Sequence, residues 1–250
     1  MSITFKRLLA TDFRNVRTQL VVALTALLLL QLIAFISLQT ATTLPGKMGL
    51  ALTMSLSMAI VMFIPPIHAY TIWHNEWKQN SIYLLLALPV SKNSIFWSKF
   101  IVILSEYLLL GAAFLILMCG QVLFSGRFPE LPVDEIMKRL SDPVFISQMV
   151  SLPVSLASFI PLIFMSVLAG KAFRKHSTFI TGISIIALFI LTNKIDNWLL
   201  ADKANGRVFV LPIAITGHVT DALIQSGVKL MFAILFWLGS VYLLKRKIEL

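Results

Sequence analysis

Long apolar runs alternate with short polar and basic segments along the whole chain, and the runs set the architecture. A helix needs about 20 apolar residues to cross the hydrocarbon of a bilayer. Six runs approach or meet that length: residues 20–38, 49–72, 100–124, 144–169, 177–193 and 224–244. The second carries no charge between Lys47 and Glu76, and Glu106 alone interrupts the third. The fifth is short and extends by using His176 and Lys194 at the interfaces. The sixth takes in Lys229 near one end, from where a lysine snorkels to the headgroups. The first run is too long for a signal-peptide core and reads as an anchor. The pattern predicts an all-α membrane protein, a single domain over 1–250 with six transmembrane helices.

Four segments outside the runs add detail. In residues 1–18, Phe5, Leu8, Leu9, Phe13 and Val16 recur at helical spacing with Asp12 among them, and Lys6, Arg7, Arg14 and Arg17 lie around them. That pattern predicts an interfacial helix on the inner leaflet, ahead of a turn into the first span. Between the second and third runs, Trp73, Glu76, Trp77 and Lys78 open a polar and aromatic stretch, and an apolar run of residues 82–88 follows and stops at Pro89. This run is too short to cross, so it lies in the interface or packs under the bundle. Ser91 is the expected N-cap of the third span. Residues 207–227, broken by Pro212, Gly217 and Gly227, predict two short outer helices dipping partway into the membrane before the last span. Residues 130–142 predict a short amphipathic surface helix with Ile136, Met137 and Leu140 on one face.

Composition sharpens the picture. The chain is 58% hydrophobic and only 13% charged, where soluble domains are about half apolar and about a quarter charged. No separate nucleotide-binding domain fits beside the spans. The net charge of +10 does not point to nucleic acid, because Lys and Arg flank the apolar runs, as residues facing anionic headgroups do. Their bias toward residues 6–17, 78–99, 171–175 and 245–247 places both termini in the cytoplasm. The tail Lys245, Arg246 and Lys247 reads as an inner-leaflet anchor. The one cysteine, Cys119, excludes an intrachain disulfide and is expected to pack.

Candidate chemistry is sparse. Glu106 is the one acid inside a span; it either lines a transport path as a wall or gate, or bonds a neighbouring helix or reaches inner water. Pro65 and Pro66 in the second span, and Pro153 and Pro161 in the fourth, remove backbone donors and form either hinges of the path or fixed kinks. His68, His74, His176 and His218 are scattered, without a spacing suited to zinc. An intramembrane protease or lipid transferase would need a nucleophile with its base, or paired aspartates within the spans, and neither is present. Neither Gly46-Lys47 nor Gly170-Lys171 has the upstream Gly or following Ser/Thr of a phosphate loop, so ATP is not hydrolysed here by that route.

One stretch resembles a known family. Glu76, then Tyr83-Leu84-Leu85-Leu86-Ala87-Leu88, then Pro89-Val90-Ser91-Lys92, then Lys99 is similar to the acidic residue, Leu-rich stretch, Leu-Pro-Val-Ser-Arg/Lys turn and entering Lys of type-2 ABC transporter (ABC-2) permeases. The family often has Gly after the acidic residue, where this chain has Lys78, Gln79 and Asn80. The resemblance implies a permease subunit in the bacterial plasma membrane, with no catalytic site or cofactor of its own. A separate ABC ATPase, in two copies, would bind the ATP and Mg. A second permease subunit would complete a homo- or heterodimer. A cytoplasmic coupling helix within residues 73–92 would dock on the ATPase through Trp73, Glu76, Trp77, Lys78, Tyr83, Leu84, Leu85, Leu86, Leu88 and Pro89. By analogy the function is export of a small amphipathic or antimicrobial peptide. The alternatives are a lipid or drug exporter, and a non-transporting assembly or sensor component.

Overall fold

A computed structural model describes residues 3–40, 44–87, 91–124, 141–173, 176–199, 208–210, 213–215 and 219–248. Seven helices account for nearly all of them: α1 (Ile3–Gln39), α2 (Leu44–Lys78), α3 (Ser81–Ala87), α4 (Lys92–Phe124), α5 (Pro143–Ala172), α6 (Ser177–Leu199) and α7 (Val219–Ile248). All but α3 are long and apolar enough to cross a membrane, and each contains one of the six apolar runs. The segment predicted over 130–142 lies almost wholly outside the described residues, as does His218.

Burial runs the opposite way to that of a soluble protein. Leu28, Leu32, Ile36, Leu109, Ile116, Ile186, Ile190 and Leu238 are exposed, while Asp12, Gln31, His68, Lys99, Glu106, Gln121 and Asp196 are buried. In a bilayer the apolar faces lose nothing by pointing outward, and the polar groups must find partners inside. Hydroxyls follow the same rule. Ser57, Ser155, Ser166, Ser226 and Ser240 each donate to the carbonyl four residues back, at 2.7–2.9 Å.

The described residues gather into two compact units, 1–68 with 97–132 and 69–96 with 133–250. In the first, Leu20, Ala23, Leu27, Val61 and Leu110 form the core, with Ile64, Phe114 and Leu117 packed on it. In the second, α5 is the central helix, flanked by α6 and α7. At the α5–α6 turn a Cβ on Gly170 would collide with the Thr181 hydroxyl and stand 2.7 Å from Ser177 O, so only glycine allows this approach.

Three expectations need correction. The interfacial segment is not set off from the first span: α1 is one unbroken helix of 37 residues, because no glycine or proline interrupts 3–39 and the apolar stripe of its first turns continues into the run. The short helices expected over 207–227 are not formed as such. Val208–Val210 and Ile213–Ile215 pair antiparallel as strands β1 and β2, with Phe209 opposite Ala214, and α7 begins at Val219. β-Branched residues at 208, 210, 213 and 215 favour extended backbone over helix. Cys119, expected to pack, is exposed on α4.

Candidate functional site

The stretch expected to meet a partner is built by the end of α2, a tight turn, and α3. Gln79 N donates to Asn75 O at 2.9 Å and Tyr83 N to Asn80 O at 3.3 Å across the turn. Asn80 sits at φ 56°, the left-handed region that glycine favours and asparagine tolerates. Asn80 therefore makes the turn without a glycine. Ser91 caps α4 as expected, its Oγ accepting from Ser94 N at 3.2 Å.

These residues divide by exposure. Ile82 is fully buried and anchors α3, whereas Tyr83 and Leu84 are 63% and 75% exposed. Lys78 is exposed; Glu76, Trp77 and Leu85 are half-buried. The Trp77 and Tyr83 rings meet edge to face at 6.5 Å. Leu88 and Pro89 lie outside the described residues, as does the Leu86 side chain. Trp73 is not at the surface. It is 0% exposed, its ring 4.9 Å from Phe96 and 5.7 Å from Phe164. Its ring is a core aromatic of the second unit, too deep to touch a docked partner.

Among the described residues, the first unit holds three buried polar ties between helices, made from one face of α4. Lys99 Nζ donates to Asp12 Oδ1 at 3.3 Å and Ser98 Oγ to Asp12 Oδ2 at 2.6 Å. Glu106 Oε1 meets His68 Nδ1 at 2.5 Å. Gln121 Nε2 donates to the backbone oxygen and to Oε1 of Gln31, each at 2.6 Å. Glu106 thus bonds a neighbouring helix. Pro65 is buried and Pro66 half-buried in unbroken helix. Pro66 has no N–H for Met62 O four residues back, and the Tyr107 hydroxyl takes up that carbonyl at 3.4 Å. In α5, Pro161 is buried and Pro153 exposed, again inside continuous helix.

The second unit contains a polar pocket that the sequence reading missed. Lys229 turns inward from α7 and donates to Ser155 Oγ on α5 at 2.8 Å, so it does not snorkel. Asp196 on α6 lines the same pocket, 5% exposed, close enough for the two charges to act on one another. Ser158, Thr192 and Asn193 add polar groups, and Phe159, Phe189, Phe232 and Phe236 close the wall around a space of about 30 Å³, which holds a water or two. The available signal was a pair of opposite charges at the adjoining ends of the fifth and sixth apolar runs.

The chain matches no curated protein and no solved structure. A family profile described as ABC-2 family transporter protein matches residues 14–193, well over half of the chain. That match and the six span-length helices agree: the chain belongs to the ABC-2 transporter family, as the multi-pass membrane permease of an ABC transporter.

Proposed function

We propose that the chain is the permease of an exporter driven by a separate ABC ATPase, with α3 as the coupling helix and a small amphipathic peptide as cargo. Both termini and α3 face the cytoplasm, by the bias of Lys and Arg along the sequence, and the membrane is the bacterial plasma membrane that the family resemblance implies. A second permease subunit completes the route, and two ATPase copies bind the ATP and Mg.

The observation that carries this reading is α3 itself. It is a seven-residue helix between two span-length helices, anchored by Ile82, with two large apolar side chains turned outward. Tyr83 and Leu84 beside Lys78 form an apolar patch with a charged rim, the composition of a protein interface centre. Trp73 supports the site from within, by packing the end of α2 against Phe96 and Phe164.

The test uses the chain reconstituted in proteoliposomes with its ATPase. Leu84→Glu places a charge in the centre of the contact and costs it about 2 kcal/mol or more. ATP hydrolysis and peptide export should fall together while insertion into the bilayer is unchanged. Hydrolysis at the wild-type rate in Leu84→Glu would remove α3 from the coupling route.

A further inference from the structure

The direction of the hydrogen bonds around the pocket between α5, α6 and α7 determines what the pocket accepts. A hydroxyl has one proton to give. Ser155 gives its proton to Ser151 O at 2.8 Å and Ser158 to Ser155 O at 2.7 Å, while Thr192 turns its own toward Leu188 O and Phe189 O at 3.1 and 2.9 Å. Asn193 directs an amide N–H to Phe189 O at 2.9 Å. The three hydroxyls are left with lone pairs alone. Asp196 adds a buried carboxylate whose Oδ1 accepts no hydrogen bond among the described residues. The phenylalanine rings of the wall also favour a cation at their faces. The wall accepts hydrogen bonds and offers few in return, so the complementary group is cationic and carries several N–H donors.

Lys229 shows such a group in place, its ammonium on Ser155 Oγ at 2.8 Å. We propose that the pocket is an ammonium-binding subsite for the cargo, in which Lys229 holds the position that a primary ammonium of the cargo takes. This rests on the exporter reading and names a feature of its substrate: an amphipathic molecule bearing an N-terminal or lysine ammonium. Two ammonium groups repel at this range, so Lys229 withdraws as the cargo group enters, which its long flexible stem permits. An alkali cation carries the charge without the donors.

The experiment is binding to the full chain in phosphatidylcholine nanodiscs, read as the shift of its thermal unfolding midpoint. n-Octylammonium should raise the midpoint saturably, whereas n-octanol and sodium chloride should not. Lys229→Met removes the internal competitor and should tighten octylammonium binding about tenfold or more. Asp196→Asn should abolish the shift. Ser158→Val, which leaves the charged pair intact, should weaken it several-fold even where Asp196→Asn does not fold. An equal response to octylammonium and octanol, or undiminished octylammonium binding in Ser158→Val, overturns the assignment. The same ammonium chemistry occurs on a peptide and on a phosphatidylethanolamine headgroup. Competition by a lysine-bearing amphipathic peptide, with none from discs containing phosphatidylethanolamine, assigns it to the peptide, and the reverse result assigns it to the lipid. No ATPase enters the assay, so a negative result leaves the exporter reading standing. Intact binding without ATP-driven export would defeat that reading alone.

Discussion

Removing one partner of the Lys99–Asp12 pair should damage the first unit more than removing both. The two side chains are 0% and 4% exposed, and their contact is 3.3 Å. Lys99→Met keeps the shape of the stem and takes away the charge. The Asp12 carboxylate is then left to the Ser98 hydroxyl, which already donates at 2.6 Å. An uncompensated buried charge costs about 3–5 kcal/mol, and the surviving Ser98 bond puts this case near the lower end. Asp12→Leu takes the carboxylate away from the buried ammonium and carries a cost of the same order. The double variant, Asp12→Leu with Lys99→Met, leaves neither charge of the pair behind and takes the acceptor from the Ser98 hydroxyl, at a cost of about 1–3 kcal/mol.

The double variant should therefore be more stable than either single one. Equilibrium unfolding in mixed micelles of nonionic detergent and dodecyl sulfate, followed by tryptophan fluorescence, gives the four free energies of the cycle. Neutral interhelical hydrogen bonds in membranes average only about 0.6 kcal/mol. A coupling energy of that size, or a double variant whose loss equals the two single losses together, would refute the claim that a desolvated ion pair joins α1 to α4.

Two further changes report on the same physics elsewhere. His68→Leu leaves the Glu106 carboxylate buried without its ring partner and should cost about 3–5 kcal/mol; His68→Gln restores a donor and should recover much of it in the same unfolding assay. Gly170→Ala drives a methyl into Thr181 at the α5–α6 turn and should cost about 1–3 kcal/mol as overpacking does, with Thr181→Ala in the same chain relieving part of the loss.

The helices were legible because each span answers to one local requirement, enough apolar residues to match the hydrocarbon. Every run in the sequence falls inside a long helix, and Ser91 caps α4 where its position before the third run placed it. The pairings were not legible, because they join residues far apart in sequence. Asp12 interrupts an apolar stripe at helical spacing, which marks an inward-facing charge, but nothing local names Lys99, 87 positions away, as its partner. His68 was weighed as a metal ligand and found wanting, when the question for a lone histidine in a span is which acid it meets. The family resemblance puts Trp73 on the docking surface with Glu76 and Lys78; its burial depends on Phe164, on another helix altogether. The hairpin at 208–215 was missed because proline and glycine signalled a break in helix but not the extended pairing that β-branched neighbours favour.

The placement of the polar ties follows from the solvent. Helices in lipid gain nothing by turning Leu or Ile inward, so packing shape and polar contacts must decide which faces meet. In the first unit those contacts fall at Lys99, Glu106 and Gln121, near multiples of two helical turns, and so lie on one face of α4. The outer two join α4 to α1 at Asp12 and Gln31, and the middle one joins it to α2 at His68. Near that middle tie α2 also gives up backbone bonds at Pro65 and Pro66, and the Tyr107 hydroxyl, next to Glu106 in sequence, takes up Met62 O. A helix with missing internal bonds bends more readily, and α4 supplies both an ionisable partner and a hydroxyl at the weakened place. The prolines of α2 and the tyrosine of α4 are therefore one feature rather than two: Pro66 leaves Met62 O without its helical donor, and the Tyr107 hydroxyl satisfies it.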